Sequence, residues 1–181
     1  MDPDAAGLRA LLDREKIRDC IAAVARGEDR RDAELIRASY WPHATCDYGI
    51  FTGSFPDYLD WVLPSSPAIV ATQHILGQIL ITLSGHIARS ETHVIGYHRV
   101  DVGDGNIDTA IGGRYLDLLE RREDEWRIAE RTMIYDWFQN FGASADWSKG
   151  LMGTPLRGDH YTGRATGDFS QTFFAPRESP S

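Results

Sequence analysis

The sequence predicts an α+β fold in which N-terminal helices lie on one face of a curled antiparallel sheet. Three observations carry that expectation. The first forty residues keep a helical apolar rhythm, and from residue 71 onward four long stretches alternate apolar and polar residues. The links between those stretches are short and rich in turn residues, so successive strands join as an antiparallel meander. Helices first and strands after is the order of an α+β layout.

Taken in order, residues 8–26 space Leu8, Leu11, Leu12, Ile17, Ile21 and Val24 as one side of a helix, which Gly27 is expected to break. A second helix over 33–39 buries Leu35 and Ile36, with Asp29 or Asp32 as its N-cap. Pro42 ends that pattern, 44–51 reads as a short strand, and 55–63 as a short amphipathic helix closed by Pro64 and Pro67. The four long strands are expected at 72–83, 87–100, 109–121 and 125–137, with turns at 84–85, 101–108 and 123–124. Residues 1–137 thus form one domain. Residues 138–181 are rich in Gly, Pro, Ser and Asp yet keep Phe141, Trp147, Leu151, Met152, Tyr161, Phe169, Phe173 and Phe174, which predicts an irregular arm docked on its own domain or on a neighbouring subunit.

Composition removes several classes of function. A net charge of −8 leaves no basic stripe for phosphates, which argues against nucleic acid. No apolar run approaches the roughly 20 residues of a membrane span, and the acidic N-terminus is unlike a secretory signal, so the expected location is the cytoplasm. Cys20 and Cys46 lack zinc-type spacing and read as buried thiols. A nucleophile elbow, a P-loop and a dinucleotide fingerprint are all missing, and nothing indicates a nucleotide, flavin or pyridoxal cofactor. Glu91 and His93 alternate to one side of a strand, a spacing too common to predict a metal.

The stretch 71–81, ATQHILGQILI, places polar residues in what reads as a buried strand. By alternation His74 and Gln78 share one face, and Ile75, Ile79 and Ile81 the other. Polar residues spent on inward positions suggest a cavity wall. An Asp29 carboxylate on one imidazole nitrogen would fix the tautomer and leave the other nitrogen to take a proton. Asp29 as a mere cap and His74 as a satisfied core histidine are the structural alternatives. Arg131 shares a strand face with Arg127, Ala129, Met133, Tyr135 and Trp137; it would either stabilise developing negative charge or pair with Glu91, Glu130 or Asp117. Tyr48, Trp61, His98, Tyr115 and Tyr135 complete the candidate pocket wall.

The segments LLDREKIRDCIAAVARGEDRRD, TQHILGQ and GGRYLDLLERREDEWRIAERTMIYDW, in that order, resemble the SnoaL-like branch of the nuclear transport factor 2 superfamily over roughly residues 8–137. The resemblance implies a cone-shaped sheet around a deep apolar pocket. It also implies a cofactor-independent lyase that eliminates water, halide or formaldehyde from an apolar cyclic or aromatic small molecule. An isomerase, a cyclase or a non-catalytic binding domain are the alternatives on the same scaffold. Asp29 and His74 match the family dyad, and Arg131 the arginine that assists the leaving group. A homo-oligomer, trimeric before dimeric, is the family habit. Val24 stands where a bile-acid-processing relative has a tyrosine acid, so Tyr48, Tyr115 or His98 would have to substitute, and Gln78 stands where the family often has asparagine.

Overall fold

A computed structural model describes residues 3–63, 67–146, 148, 150–156 and 165–174. The long helix α1 (Pro3–Arg30) leads into α2 (Ala33–Ser39), β1 (Tyr40–Asp47), β2 (Thr52–Ser54) and α3 (Phe55–Val62). Four long strands follow: β3 (Ile69–Ser84), β4 (Ile87–Asp101), β5 (Asn106–Arg122) and β6 (Glu125–Ala143). A short helix, α4 (Phe169–Phe174), comes last. The six strands form one curved open sheet in the order β2-β1-β6-β5-β4-β3. Every pair is antiparallel except β1 with β6, which is parallel.

Helix α1 does not stop at Gly27. It runs on to Arg30, and Gly27 is needed there for packing: a Cβ would lie 2.6 Å from Ile36 Cγ1 of α2. The helix ends in a paired C-terminal motif, with Arg31 N–H donating to Glu28 O and Asp32 N–H to Gly27 O (3.2 and 2.8 Å). Arg31 takes the left-handed conformation usual for glycine at this place (φ 54°). Asp32 is the N-cap of α2, accepting from Leu35 N–H at 3.1 Å. Asp29 therefore lies in the last turn of α1 and is not the cap.

Asp13 is the first residue of α1 buried on the sheet, where it accepts from Trp126 Nε1 (2.9 Å) and Arg121 (3.2 Å). Leu8, Leu11 and Leu12 precede it and stay exposed. From there Ile17, Ile21 and Val24 pack against Leu119, Trp126 and Ile128 of the sheet and Ile36 of α2 to make the core. Tyr40, Phe55 and Tyr58 extend it, with the rings of Tyr40 and Phe55 stacked and that of Tyr58 tilted against both.

Several expected boundaries move, and the strand expected at 44–51 ends at Asp47. The first strand begins at Tyr40, ahead of Pro42, which sits where the β1–β6 register shifts. Helix α3 ends at Val62, one residue early. Strand β6 continues past Trp137 to Ala143 because Thr109, Ala110 and Ile111 of β5 still offer it partners. Of the arm, 168–174 docks on α1: Asp168 pairs with Arg30 at 3.0 Å and Ser170 accepts from Arg26 at 2.9 Å. The expected arm residues Trp147 and Tyr161 lie outside the described residues. Among the described residues no helix is long and apolar enough to cross a membrane.

Candidate active site

Alternation along β4 turns Ala88, Ser90, Thr92, Val94 and Gly96 toward the helices, with His98 next on the same face. On β5 the inward set is Ile111, Gly113, Tyr115, Asp117 and Leu119. Beyond the packed core, these strands, α3 and the end of α1 enclose a cavity of about 240 Å³. Its apolar wall includes Ile50, Val62, Val94, Ile111 and Met133. Tyr48, Tyr58, Trp61, Tyr115 and Tyr135 add aromatic surface, and Glu28, Arg31, His74 and His98 are its charged or titratable members. At Gly96 a Cβ would stand 3.3 Å from the His98 ring and 3.7 Å from that of His74, so this glycine leaves room for the two imidazoles.

His74 projects from β3, an edge strand, at its contact with the last turn of α1. The Asp29 carboxylate accepts from the His74 backbone N–H (3.1 and 3.0 Å) and from Nδ1–H (2.7 Å). One side chain thus ties the helix end to a sheet edge and sets the imidazole tautomer. The other ring nitrogen, Nε2, faces a second carboxylate: Glu28 Oε2 is 3.3 Å away. Glu28 is buried and accepts through Oε1 from the Tyr58 hydroxyl, which itself accepts from Tyr48 at 3.2 Å. Burial pushes the His74 pKa down, but the Asp29 hydrogen bond and the charges of Glu28 and Asp29 outweigh it and hold His74 above its ordinary value. His98, edge-on to His74 at 6.4 Å, is driven below the ordinary value by burial and by His74. Burial holds Tyr48, Tyr58 and Tyr115 well above the usual phenol value, so all three remain protonated donors.

The structure brings together His74, Asp29, Tyr48, Trp61, His98, Tyr115 and Tyr135, and parts two expected residues from them. Gln78 is exposed and away from the cavity. Between the pairs Leu76↔Val94 and Ile79↔Thr92, Gly77 and Gln78 together oppose His93, and this bulge resets the alternation. Ile79 and Ile81 consequently face inward with His74, opposite to the simple period-two expectation. Arg131 is fully buried, donates to Asp117 through Nε (2.7 Å) and Nη2 (2.9 Å), and lies beneath the Tyr115 ring at 4.1 Å. It supports the pocket wall from behind and does not line the cavity. Bulges at Ala129 and Asp136 alter its face too: Trp126, Ile128, Met133 and Tyr135 are its inward companions, while Trp137 lies over Gly112 on the outer face.

Sequence reasoning missed Glu28, Tyr58 and Arg31. The signal for Glu28 was the stripe Ile17, Ile21, Val24, which reaches residue 28 once α1 is carried through Gly27. Tyr58 lies on the buried side of α3 with Phe55 and Leu59. Among the described residues no group of three or more His, Cys, Asp or Glu side chains is arranged to hold a metal ion.

Residues 9–132 match the SnoaL-like domain. The chain belongs to that family. Solved structures with the same fold include a hexachlorocyclohexane dehydrochlorinase (LinA) Type2, 21% identical, with a TM-score of 0.71 over 80% of this chain and 99% of that one. The hexachlorocyclohexane dehydrochlorinase LinA-type3 from Novosphingobium barchaimii LL02 is 20% identical, with a TM-score of 0.67 over 84% of this chain and 99% of the other. The Kfla4162 protein from Kribbella flavida is 23% identical, with a TM-score of 0.66 over 72% and 95% of the two chains. No curated protein matches the chain in sequence. The cavity lies between the helices and the sheet.

Proposed function

We propose that this SnoaL-like domain is a cofactor-independent lyase acting on an apolar, ring-bearing small molecule. The observation that carries the reading is the His74–Asp29 contact at 2.7 Å on the wall of an apolar, tyrosine-rich cavity. Asp29 holds the proton on Nδ1, so Nε2 is the atom that removes a proton from carbon while a group leaves the neighbouring carbon. Tyr48, Trp61, Tyr115 and Tyr135 sandwich the ring, and His98 offers a neutral imidazole to a polar substituent. Arg131 acts through the Tyr115 ring, as a buried positive charge below the site.

The protein works as a homo-oligomer in this reading. Support comes from the outer sheet face, where Ile75, Ile95 and Trp137 form an apolar row across paired strands, with Leu80 exposed nearby.

A screen of ring-bearing alcohols and halides, scored by mass, tests the reaction class: loss of water or halide is expected, and an unchanged mass would mean an isomerase or cyclase. On a turned-over compound, His74→Ala should lower kcat by about 10²-fold or more, the scale of a lost general base. Full turnover by a folded His74→Ala protein would end the assignment.

A further inference from the structure

Among the described residues Arg31 is the only arginine lining the cavity, and it stands in a place that does not suit it. Directly after α1 it takes the left-handed conformation, φ 54°, where glycine is favoured and a long side chain is not. A residue held against its backbone preference in the wall of a cavity points to a use for its side chain.

The guanidinium is held in place but not neutralised. Nη2 donates to Ile69 O at the start of β3, at 2.6 Å, and among the described residues no carboxylate pairs with it. Its other nitrogens have no partner among the described residues and are not sealed from solvent. The acids beside it in sequence are engaged elsewhere. Glu28 accepts from Tyr58 and faces His74, Asp29 holds His74, and Asp32 caps α2. The second arginine of the region, Arg131, lies behind Tyr115 with both Asp117 oxygens upon it. Arg31 is thus the cation that a molecule in the cavity can reach.

Its position relative to the dyad is set by β3. Ile69, which accepts its hydrogen bond, and His74 are five residues apart on that strand. At about 3.3 Å per residue the two lie no more than roughly 16 Å apart. Arg31 and Ile69 are half-buried, whereas Tyr58 and Tyr115 are closed off, so Arg31 belongs to the more open part of the wall. Val62 and Ile69 supply apolar lining, and partial removal from water strengthens a charge-assisted hydrogen bond.

Building on the lyase reading, we propose that the substrate is a ring-bearing carboxylic acid, bound as its anion, and that Arg31 is the residue that selects for the charge. The carboxylate meets Arg31 on the open side of the cavity while the rings reach inward to His74. A planar guanidinium with free N–H groups matches the two oxygens of a carboxylate. A single accessible cation, sharing the cavity with Glu28, suits one negative charge and not the two of a phosphate monoester.

The test uses biphenyl-4-carboxylate and biphenyl-4-carboxamide, which share shape and differ in charge, with calorimetric titration of the full chain at about pH 7.5. Wild type should bind the carboxylate about tenfold more tightly than the carboxamide, and the ratio should shrink as NaCl rises from about 50 to about 500 mM. Arg31→Gly fits the left-handed backbone, and thermal unfolding checks its fold. It should abolish the preference by weakening the carboxylate alone, with carboxamide affinity kept within about threefold. Arg31→Lys, which keeps the charge without the fork, should retain part of the preference.

A carboxylate preference that survives in Arg31→Gly would place the anion elsewhere, at His74 for instance, and overturn the proposal. Equal affinities in wild type, or binding of neither probe, would overturn it too. Equal weakening of both probes by Arg31→Gly would reduce Arg31 to a structural tie between α1 and β3. Where the mass screen finds an acid that is turned over, Arg31→Gly should raise its KM about tenfold at nearly unchanged kcat. Selective binding without turnover of any acid counts against the lyase reading alone, because the titrations require no chemistry.

Discussion

Asp29 gives one carboxylate two tasks at once: it receives the edge-strand N–H of His74 and the Nδ1–H of the same residue. That coupling makes stability depend on the protonation of His74. The folded pKa of His74 is raised above its unfolded value, chiefly because the Asp29 and Glu28 interactions overcome desolvation. The stabilisation is therefore fully present below about pH 6.5, the unfolded value, and is lost as pH rises through the folded value. Urea unfolding of wild type and His74→Gln over that range should show a gap of about 1–3 kcal/mol at low pH that narrows as pH rises. His74 was visible in the sequence as a polar residue at odds with its apolar surroundings, and Asp29 as a helix-end carboxylate whose segment matches the family resemblance. Glu28 was not, because a helix judged to end at Gly27 has no buried face left to offer it.

At the scale of the element, the same Gly27 is informative. Glycine inside a helix usually costs about 1 kcal/mol relative to alanine, so on propensity alone an alanine here would stabilise. The 2.6 Å approach to Ile36 reverses that expectation. Gly27→Ala should destabilise by about 1–2 kcal/mol through overpacking between α1 and α2, measurable as a lowered Tm. Periodicity disclosed every long strand, since each keeps several turns of clean alternation. It did not disclose which face a residue takes beyond a bulge. The bulge at Gly77–Gln78 is set by pairing with β4, and those at Ala129 and Asp136 by pairing with β5, so the parity of Gln78 and Trp137 depends on strands distant in sequence.

For the whole molecule, the helices cover one face of the sheet and leave the row Ile75, Ile95, Trp137 on the other. Sedimentation should give a mass that is a multiple of the 20.3 kDa chain, and Ile95→Lys should shift the population toward the single chain while leaving its own fold intact. A monomer at working concentration in the wild type would rule out assembly through this face.

The parallel pairing of β1 with β6 bears on the order in which the chain can assemble. Cys46 is aligned with Arg131, so the strand that follows the first two helices finds its central neighbour only when the last long strand exists. The meander from β3 to β6 is built from nearest neighbours and can zip up on its own, one hairpin after another. Until it has done so, β1 and the aromatic cluster of Tyr40, Phe55 and Tyr58 have an unfinished wall beside them. During synthesis the first sixty residues must wait, partly exposed, for sequence made much later. The pocket, enclosed by residues from both ends of that interval, is among the last parts of the molecule to close.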